Sequence, residues 1–367
     1  MSVRVCYVAG REASYSRTRN VRRALENASF DVELCAPQGK SKLHHPRLIA
    51  EMARKLKRAD VVLVGFYGQL IMPFARLLSD KPILFDVYAA THSTLVEDRR
   101  VIGSRNPLGK LFWLADHVAL RCADRVILDS QHQIRTYAAA YDVDASKFRR
   151  IFLCSDESVM HPSGETPATD KFRLHFHGEF APFHGVEVIL RAAHLLKEHA
   201  VEFRIIGTGL TYERDRKLAA ELGLRNVEFI DRVPYDELAQ HMSRAHACLG
   251  IFADGPRAAR ELTNKVVEAM AVGRPLITRD NGSVRELLQD GQSALLIEPA
   301  SPQQLAQAIL RLKGDPELCQ RLGQNALAQY RLHCSHVRFT QELAKVITEL
   351  VEPGAGVRRA STQALGS

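Results

Sequence analysis

The stretch DGPRAARELTNKVVEAMAVGRPLITRD, Asp254 to Asp280, carries the reading of the fold. Upstream of it lies the apolar run Ala247–Phe252, and within it lies another, Pro275–Thr278. Between the two runs, Asn264–Val272 has helical patterning. Thr263 or Asn264 is placed to cap its start, and Gly273 with Pro275 to stop it. Strand, helix and strand joined this closely form one βαβ unit, and the two strands are parallel.

Working outward, the same unit recurs along the chain. On the C-terminal side of residue 171, strands are expected at Phe172–His177, Glu202–Gly207, Val227–Ile230 and Ala294–Ile297, besides the two above. Helices are expected at Val186–Glu198, Glu213–Leu222, Tyr235–Arg244, Pro302–Lys313, Glu317–Leu332 and Ser335–Val351. In the first half the strand candidates are Arg4–Ala9, Asp31–Ala36, Val61–Phe66, Pro82–Tyr88, Arg125–Asp129 and Arg149–Cys154. Most are rich in Val, Ile, Leu and Phe without polar alternation, as strands buried on both faces require. Helical patterns at Arg17–Asn27, Leu48–Lys57 and Leu108–Arg121 fall between them. The alternation lapses around Ser155–Lys171, where HPSGETPATDK is rich in turn formers. The expected division is a domain over residues 1–155, a linker over 156–171 and a second domain over 172–334. A C-terminal helix follows over 335–352, then a disordered tail over 353–367. The fold class is α/β, with two doubly wound domains in tandem.

A length of 367 residues suits two domains. Apolar residues at 46% and charged residues at 25% exclude disordered, collagenous and small disulfide-built chains. No apolar run reaches 18 residues, so no spanning helix is expected, and the N-terminus reads as a strand rather than a signal peptide. Seven cysteines in apolar runs, with no CxxC pair, read as free thiols of a reducing compartment. Residues 1–160 hold 25 basic and 17 acidic side chains, so the entire +8 excess lies in the first half. That half is expected to meet something anionic, such as a membrane surface, a phosphorylated or lipid-linked substrate or nucleic acid; solubility alone is the plain alternative.

Glycines mark several strand ends: Gly10, Gly178, the pair Gly207 and Gly209, and Gly273 before a strand. Ligands of doubly wound sheets bind at the carboxyl ends of strands, where glycine lets them approach. No GxGxxG fingerprint or Walker loop is present, which argues against a dehydrogenase or an ATPase. Lys265 and Glu268 are three residues apart and share one helix face. A carboxylate there suits a ribose diol, and an ammonium near a helix start suits a phosphate. A solvated Lys–Glu pair is the plain alternative.

These residues resemble the retaining glycosyltransferases of the GT-B fold, family 4. That family carries a Glu-x7-Glu signature followed by a phrase like EAMA-x-G-x-P-x-I, which Glu268–Thr278 matches. Gly178…His184-Gly185 resembles its donor-diphosphate loop, and Ile205–Gly209 its next strand. VEFIDRVPYDEL (227–238) and ALLIEPA (294–300) fit as well. The likeness covers most of residues 172–335 and is weaker over 1–155. It implies two Rossmann-like domains facing across a cleft, with the last helix packing back on the first domain.

The resemblance also implies sugar transfer from a nucleoside diphosphate sugar to an acceptor hydroxyl, with retention, in bacterial polysaccharide or glycolipid synthesis. In the front-face mechanism of this family, the diphosphate itself helps remove the acceptor proton. Donor-binding residues would be Gly10, Gly178, His184, Gly185, Gly207, Gly209, Asn264, Lys265 and Glu268. Lys265, Glu268, Glu261, His92 and Asp86 would be catalytic, and Asp86, His92, Asp98 and Arg99 would meet the acceptor. No cofactor, metal or nucleic acid is expected. The implied location is the cytoplasm, with peripheral contact at the membrane's inner face. The chain departs from the family at the first signature glutamate, which is Arg260, with Glu261 one position late. It departs again where the diphosphate-binding Arg and Lys become Glu179 and His184. A small soluble acceptor, a non-catalytic sugar-nucleotide-binding protein, and a phosphorylase or epimerase are the competing readings.

Overall fold

The computed structural model describes residues 2–37, 45–99, 106–164 and 169–352; the expected tail lies outside the described residues. The first sheet contains β1 (Arg4–Val8), β2 (Asp31–Cys35), β3 (Val61–Val64), β4 (Ile83–Asp86), β5 (Arg125–Leu128) and β6 (Phe148–Arg150). All neighbours are parallel, in the order β2-β1-β3-β4-β5-β6. The helices between them are α1 (Ser16–Asn27), α2 (His45–Leu56), α3 (Met72–Leu78), α4 (Pro107–Cys122) and α5 (Gln131–Tyr141). β3 reads VVLV and is buried throughout, because helices or loops cover both faces. One apolar core joins α2, α3, α4 and α5 on one face of the sheet; a second joins α1 to the other.

The second sheet contains β7 (Phe172–His177), β8 (Val201–Ile206), β9 (Val227–Ile230), β10 (Ala247–Leu249), β11 (Leu276–Arg279) and β12 (Leu295–Ile297). Its order is β12-β11-β10-β7-β8-β9, also parallel. Around it lie α6 (Val186–Leu195), α7 (Tyr212–Glu221), α8 (Tyr235–Ser243), α9 (Asn264–Ala271), α10 (Pro302–Gly314) and α11 (Pro316–His333). The order reverses between β7 and β10, so a crevice opens at the carboxyl ends of those two strands. α12 (His336–Val351) returns to the first domain and packs on α1. The two doubly wound sheets are the expected fold class.

Several strands end earlier than expected, β10 and β6 by the most. β10 ends at Leu249, yet the segment stays beside β11: Gly250 N–H donates to Ile277 O and Arg279 N–H to Ile251 O, both at 2.8 Å, and a Cβ at Gly250 would lie only 2.2 Å from Thr278 Oγ1. Phe252 N–H then donates to His184 O at 2.9 Å, tying this segment to the loop after β7. β6 keeps only Phe148–Arg150. Ile151–Ser155 is buried but runs on towards the second domain, where the Ser155 and Tyr330 hydroxyls meet at 2.8 Å. All seven cysteines are free thiols.

Candidate functional site

Charged and aromatic side chains line a cleft of about 290 Å³ between the carboxyl ends of the two sheets. On the second-domain wall, α9 is buried on every face, Lys265 and Glu268 included. The sequence DGPRAARELT places this helix immediately behind the loop that leaves β10, so its first turn opens into the cleft. The Asn264 and Lys265 N–H groups at its start have no intrahelical acceptors, while Val266 and Val267 N–H donate to Thr263 O. The Thr263 hydroxyl at the N-cap is buried without a partner.

Glu268 is held from two sides. His177 Nε2–H donates to its Oε2 at 2.8 Å, and Tyr235 OH donates to its Oε1 at 2.9 Å. His175 in turn lies 2.9 Å from His177 Nδ1. Burial works to raise the Glu268 carboxyl, but these donors and the Lys265 charge outweigh it and hold the group below its usual range. Glu268 is therefore an oriented carboxylate with acceptor capacity still open to two hydroxyls.

Lys265 does not pair with Glu268. Its Nζ lies 3.0 Å from His184 Nε2 and 5.4 Å from the centre of the Phe176 ring. Burial lowers its pKa from 10.5 to about 7. Burial also depresses His184 strongly, with the Lys265 charge adding to it, so that ring is neutral. The loop that holds His184 turns at Gly185, whose φ is +68°; a Cβ there would lie 2.4 Å from Ala253 N. Gly178 faces the same Lys265–His184 pair.

Gly207 and Gly209 stand behind this loop rather than in the cleft. A Cβ at Gly207 would sit 2.1 Å from the Gly178 carbonyl oxygen, and one at Gly209 2.5 Å from Phe180 N. Gly10 belongs to the other wall, beneath the Phe66 and Tyr67 backbone. None of these three lines the cleft.

At the signature departure, Glu261 lines the cleft and Arg260 does not. Arg257 Nε donates to Glu261 Oε1 at 2.9 Å, and its Nη1 to Asp98 Oδ2 at 3.1 Å. Arg260 reaches across the domains to Glu97. Asp98 also accepts from Phe183 N–H at 2.8 Å. Asp98 thus joins the domains and is not open to a ligand. Arg99 does line the cleft, 3.6 Å from Glu179.

Asp86 and His92 are both engaged within the protein. Asp86 is 1% exposed, and both its oxygens accept from Arg17 at 2.9 Å. A buried bidentate pair of this kind leaves the carboxylate no free face. The His92 ring is turned towards Glu97, at 3.7 Å, and its backbone N–H donates to Asp116.

The first-domain wall is instead aromatic. Tyr15, Phe66, Tyr67 and Tyr88 cluster there, with Phe66 4.0 Å from Tyr67, 4.8 Å from Tyr88 and 5.6 Å from Tyr15 between ring centres. Arg11 lies 4.5 Å over Tyr15. Tyr67 and Tyr88 both have positive φ, 62° and 53°, a conformation costly for a bulky residue and concentrated at functional sites. Strand-end tyrosines with no polar motif around them give no sequence signal. His177 and Tyr235 were legible only as types, because their partners lie 91 and 33 residues away.

Residues 171–315 match the family described as Glycosyl transferases group 1. An uncharacterized glycosyltransferase of Methanocaldococcus jannaschii is 30% identical over 175 residues, 48% of this chain and 47% of that protein. The chain spans about half the length of the curated relatives it matches. Among solved structures, sucrose-phosphate synthase from Thermosynechococcus elongatus superposes with a TM-score of 0.78 at 17% identity, covering 95% of this chain and 99% of that one. Anabaena HepE in complex with UDP and glucose gives 0.72 at 16% identity, covering 94% and 99%. The architecture is the GT-B fold: two Rossmann-like domains facing across a cleft.

Proposed function

We propose that the protein is a retaining glycosyltransferase of family 4 that transfers a sugar from a nucleoside diphosphate sugar to an acceptor hydroxyl. The observation that carries the reading is Glu268, oriented by His177 and Tyr235 on the helix whose first turn holds Lys265 at the β7–β10 crevice. Glu268 would accept from the ribose diol. Lys265, Asn264 and the Gly178–Gly185 loop would hold the diphosphate. Lys265 supplies the ammonium beside His184, where the family's cation is missing. In the reaction the anomeric carbon–oxygen bond to the diphosphate breaks and a bond to the acceptor oxygen forms. The acceptor proton passes to the leaving diphosphate, and no metal or protein nucleophile is required. Charge that develops on the diphosphate is the main quantity to be stabilised.

Glu261, held by Arg257 in the cleft, takes the place of the signature's first carboxylate beside the donor sugar. The aromatic wall would carry the acceptor. The basic first half favours an anionic or lipid-linked acceptor of a bacterial surface polysaccharide or glycolipid. Its place would be the cytoplasm, at the inner membrane face.

Uridine diphosphate is the first ligand to test, since the HepE structure contains it. At 100 times Kd it should stabilise the protein by about 2.7 kcal/mol, and Glu268→Ala should remove most of that gain. Unchanged melting with UDP, GDP and ADP alike would reject the nucleotide site. Nucleotide binding without release of diphosphate from any donor sugar would instead favour a non-catalytic binding protein.

A further inference from the structure

Exposed large apolar side chains are unevenly distributed. Among the described residues there are eleven, and seven fall on one side of the first domain. Leu70, Phe74, Leu77 and Leu78 follow a helical stripe along α3 and the turn before it. Leu108, Leu111 and Leu114 lie on the first half of α4, which packs beside α3. Leu77 is 81% exposed, the highest of the eleven. Isolated exposed leucines are ordinary, but a joined face of them marks an interaction surface.

Charge around this face is one-sided. Lys81 at the end of α3, Lys110 and Arg121 on α4, and Arg54, Lys57 and Arg58 at the end of the adjacent α2 are exposed. The nearby carboxylates are mostly turned to partners within the protein. Asp116 accepts from the Thr91 and His92 backbone, Asp124 from Arg76 and the Ile83 N–H, and Glu51 from Lys55. Asp80 and Asp142 are the exposed exceptions, Asp142 lying 3.6 Å from Arg121.

We propose that the α3–α4 face is a docking surface for an anionic lipid bilayer. Its leucines and Phe74 enter the interfacial zone, and the flanking Lys and Arg side chains meet anionic headgroups. A second copy of the chain would bring the same basic residues together and is disfavoured by their repulsion. Helices of a parallel sheet start at the carboxyl ends of the strands, so Leu70 and Leu108 lie towards the cleft rim. Docking therefore sets the aromatic wall near the bilayer. That consequence rests on the proposed function; the docking itself does not.

The test is flotation of the full chain with vesicles of phosphatidylglycerol and phosphatidylcholine, and with phosphatidylcholine alone. Wild type should float with the anionic vesicles at low salt, weakly with the neutral ones, and be released as salt rises. Leu77→Glu combined with Leu111→Glu alters only exposed positions. It should lower partitioning roughly tenfold or more while leaving the melting temperature and any nucleotide-induced shift unchanged. Absence of vesicle binding by wild type, or equal binding by the double variant, would overturn the proposal. So would a wild-type dimer that the double variant converts to monomers without any vesicle binding, since the face would then belong to a second copy.

Discussion

Lys265 is an amine buried in the cleft wall, beside a histidine that cannot share its charge. With its pKa lowered to about 7 by burial, it is half neutral near neutrality in the free protein. A bound diphosphate needs the ammonium, so binding above pH 7 takes up a proton. Diphosphate affinity should therefore fall as pH rises beyond 7, by up to about tenfold per pH unit. Calorimetry in buffers of different ionisation enthalpy should report that uptake. Lys265→Met should bind more weakly and lose both the uptake and the slope; a wild type with a flat profile from pH 7 to 9 would reject the role. At the neighbouring departure, Arg260 and Glu261 have separate tasks, one across the domain boundary and one in the cleft.

The loop from Asp254 to Thr263 and the single π-helical turn Ser93–Asp98 form one interdomain latch. Asp98 accepts from Phe183 N–H and Arg257, while Glu97 meets Arg260. Removing one partner of a buried pair costs about 3–5 kcal/mol, since the other charge stays enclosed and unpaired. Asp98→Ala should thus loosen the closed arrangement, not the domains themselves. Small-angle scattering should show a larger radius of gyration without nucleotide than for wild type, with each domain's secondary structure retained. An unchanged radius would mean that the Ser130–Ser283 contact and the Glu286 bonds to Gln131 and His132 N–H suffice for closure.

At the scale of the whole molecule, the chain crosses between the domains twice. The second crossing ends in α12, whose Phe339, Leu343, Val346 and Ile347 are buried with Val21, Ala24 and Leu25 of α1. The first domain's core is therefore completed by residues beyond position 335. Ile347→Ala should destabilise it by about 2–5 kcal/mol, the cost of a large-to-small change in a packed core. Differential scanning calorimetry should locate the loss in the transition of the first domain. A second-domain transition that falls instead would show that α12 belongs to the other core.

Strand and helix positions were readable because each depends on a local property. An apolar run of four to six residues bounded by helical patterns and turn formers suits a strand buried in a parallel sheet, and Gly273 with Pro275 marks a helix end. The pairing of distant groups has no such local signature. Nothing near Asp86 in the chain announces Arg17, 69 residues earlier, so an acid at a strand end reads as free when it is engaged. Lys265 and Glu268 were legible as neighbours on one face. Burial then separated their roles, turning Lys265 to His184 and Glu268 to His177 and Tyr235. The aromatic wall and the exposed leucines of α3 and α4 were hidden for the same reason. Composition counts such side chains, but only packing decides which stay uncovered and which face one another across a cleft.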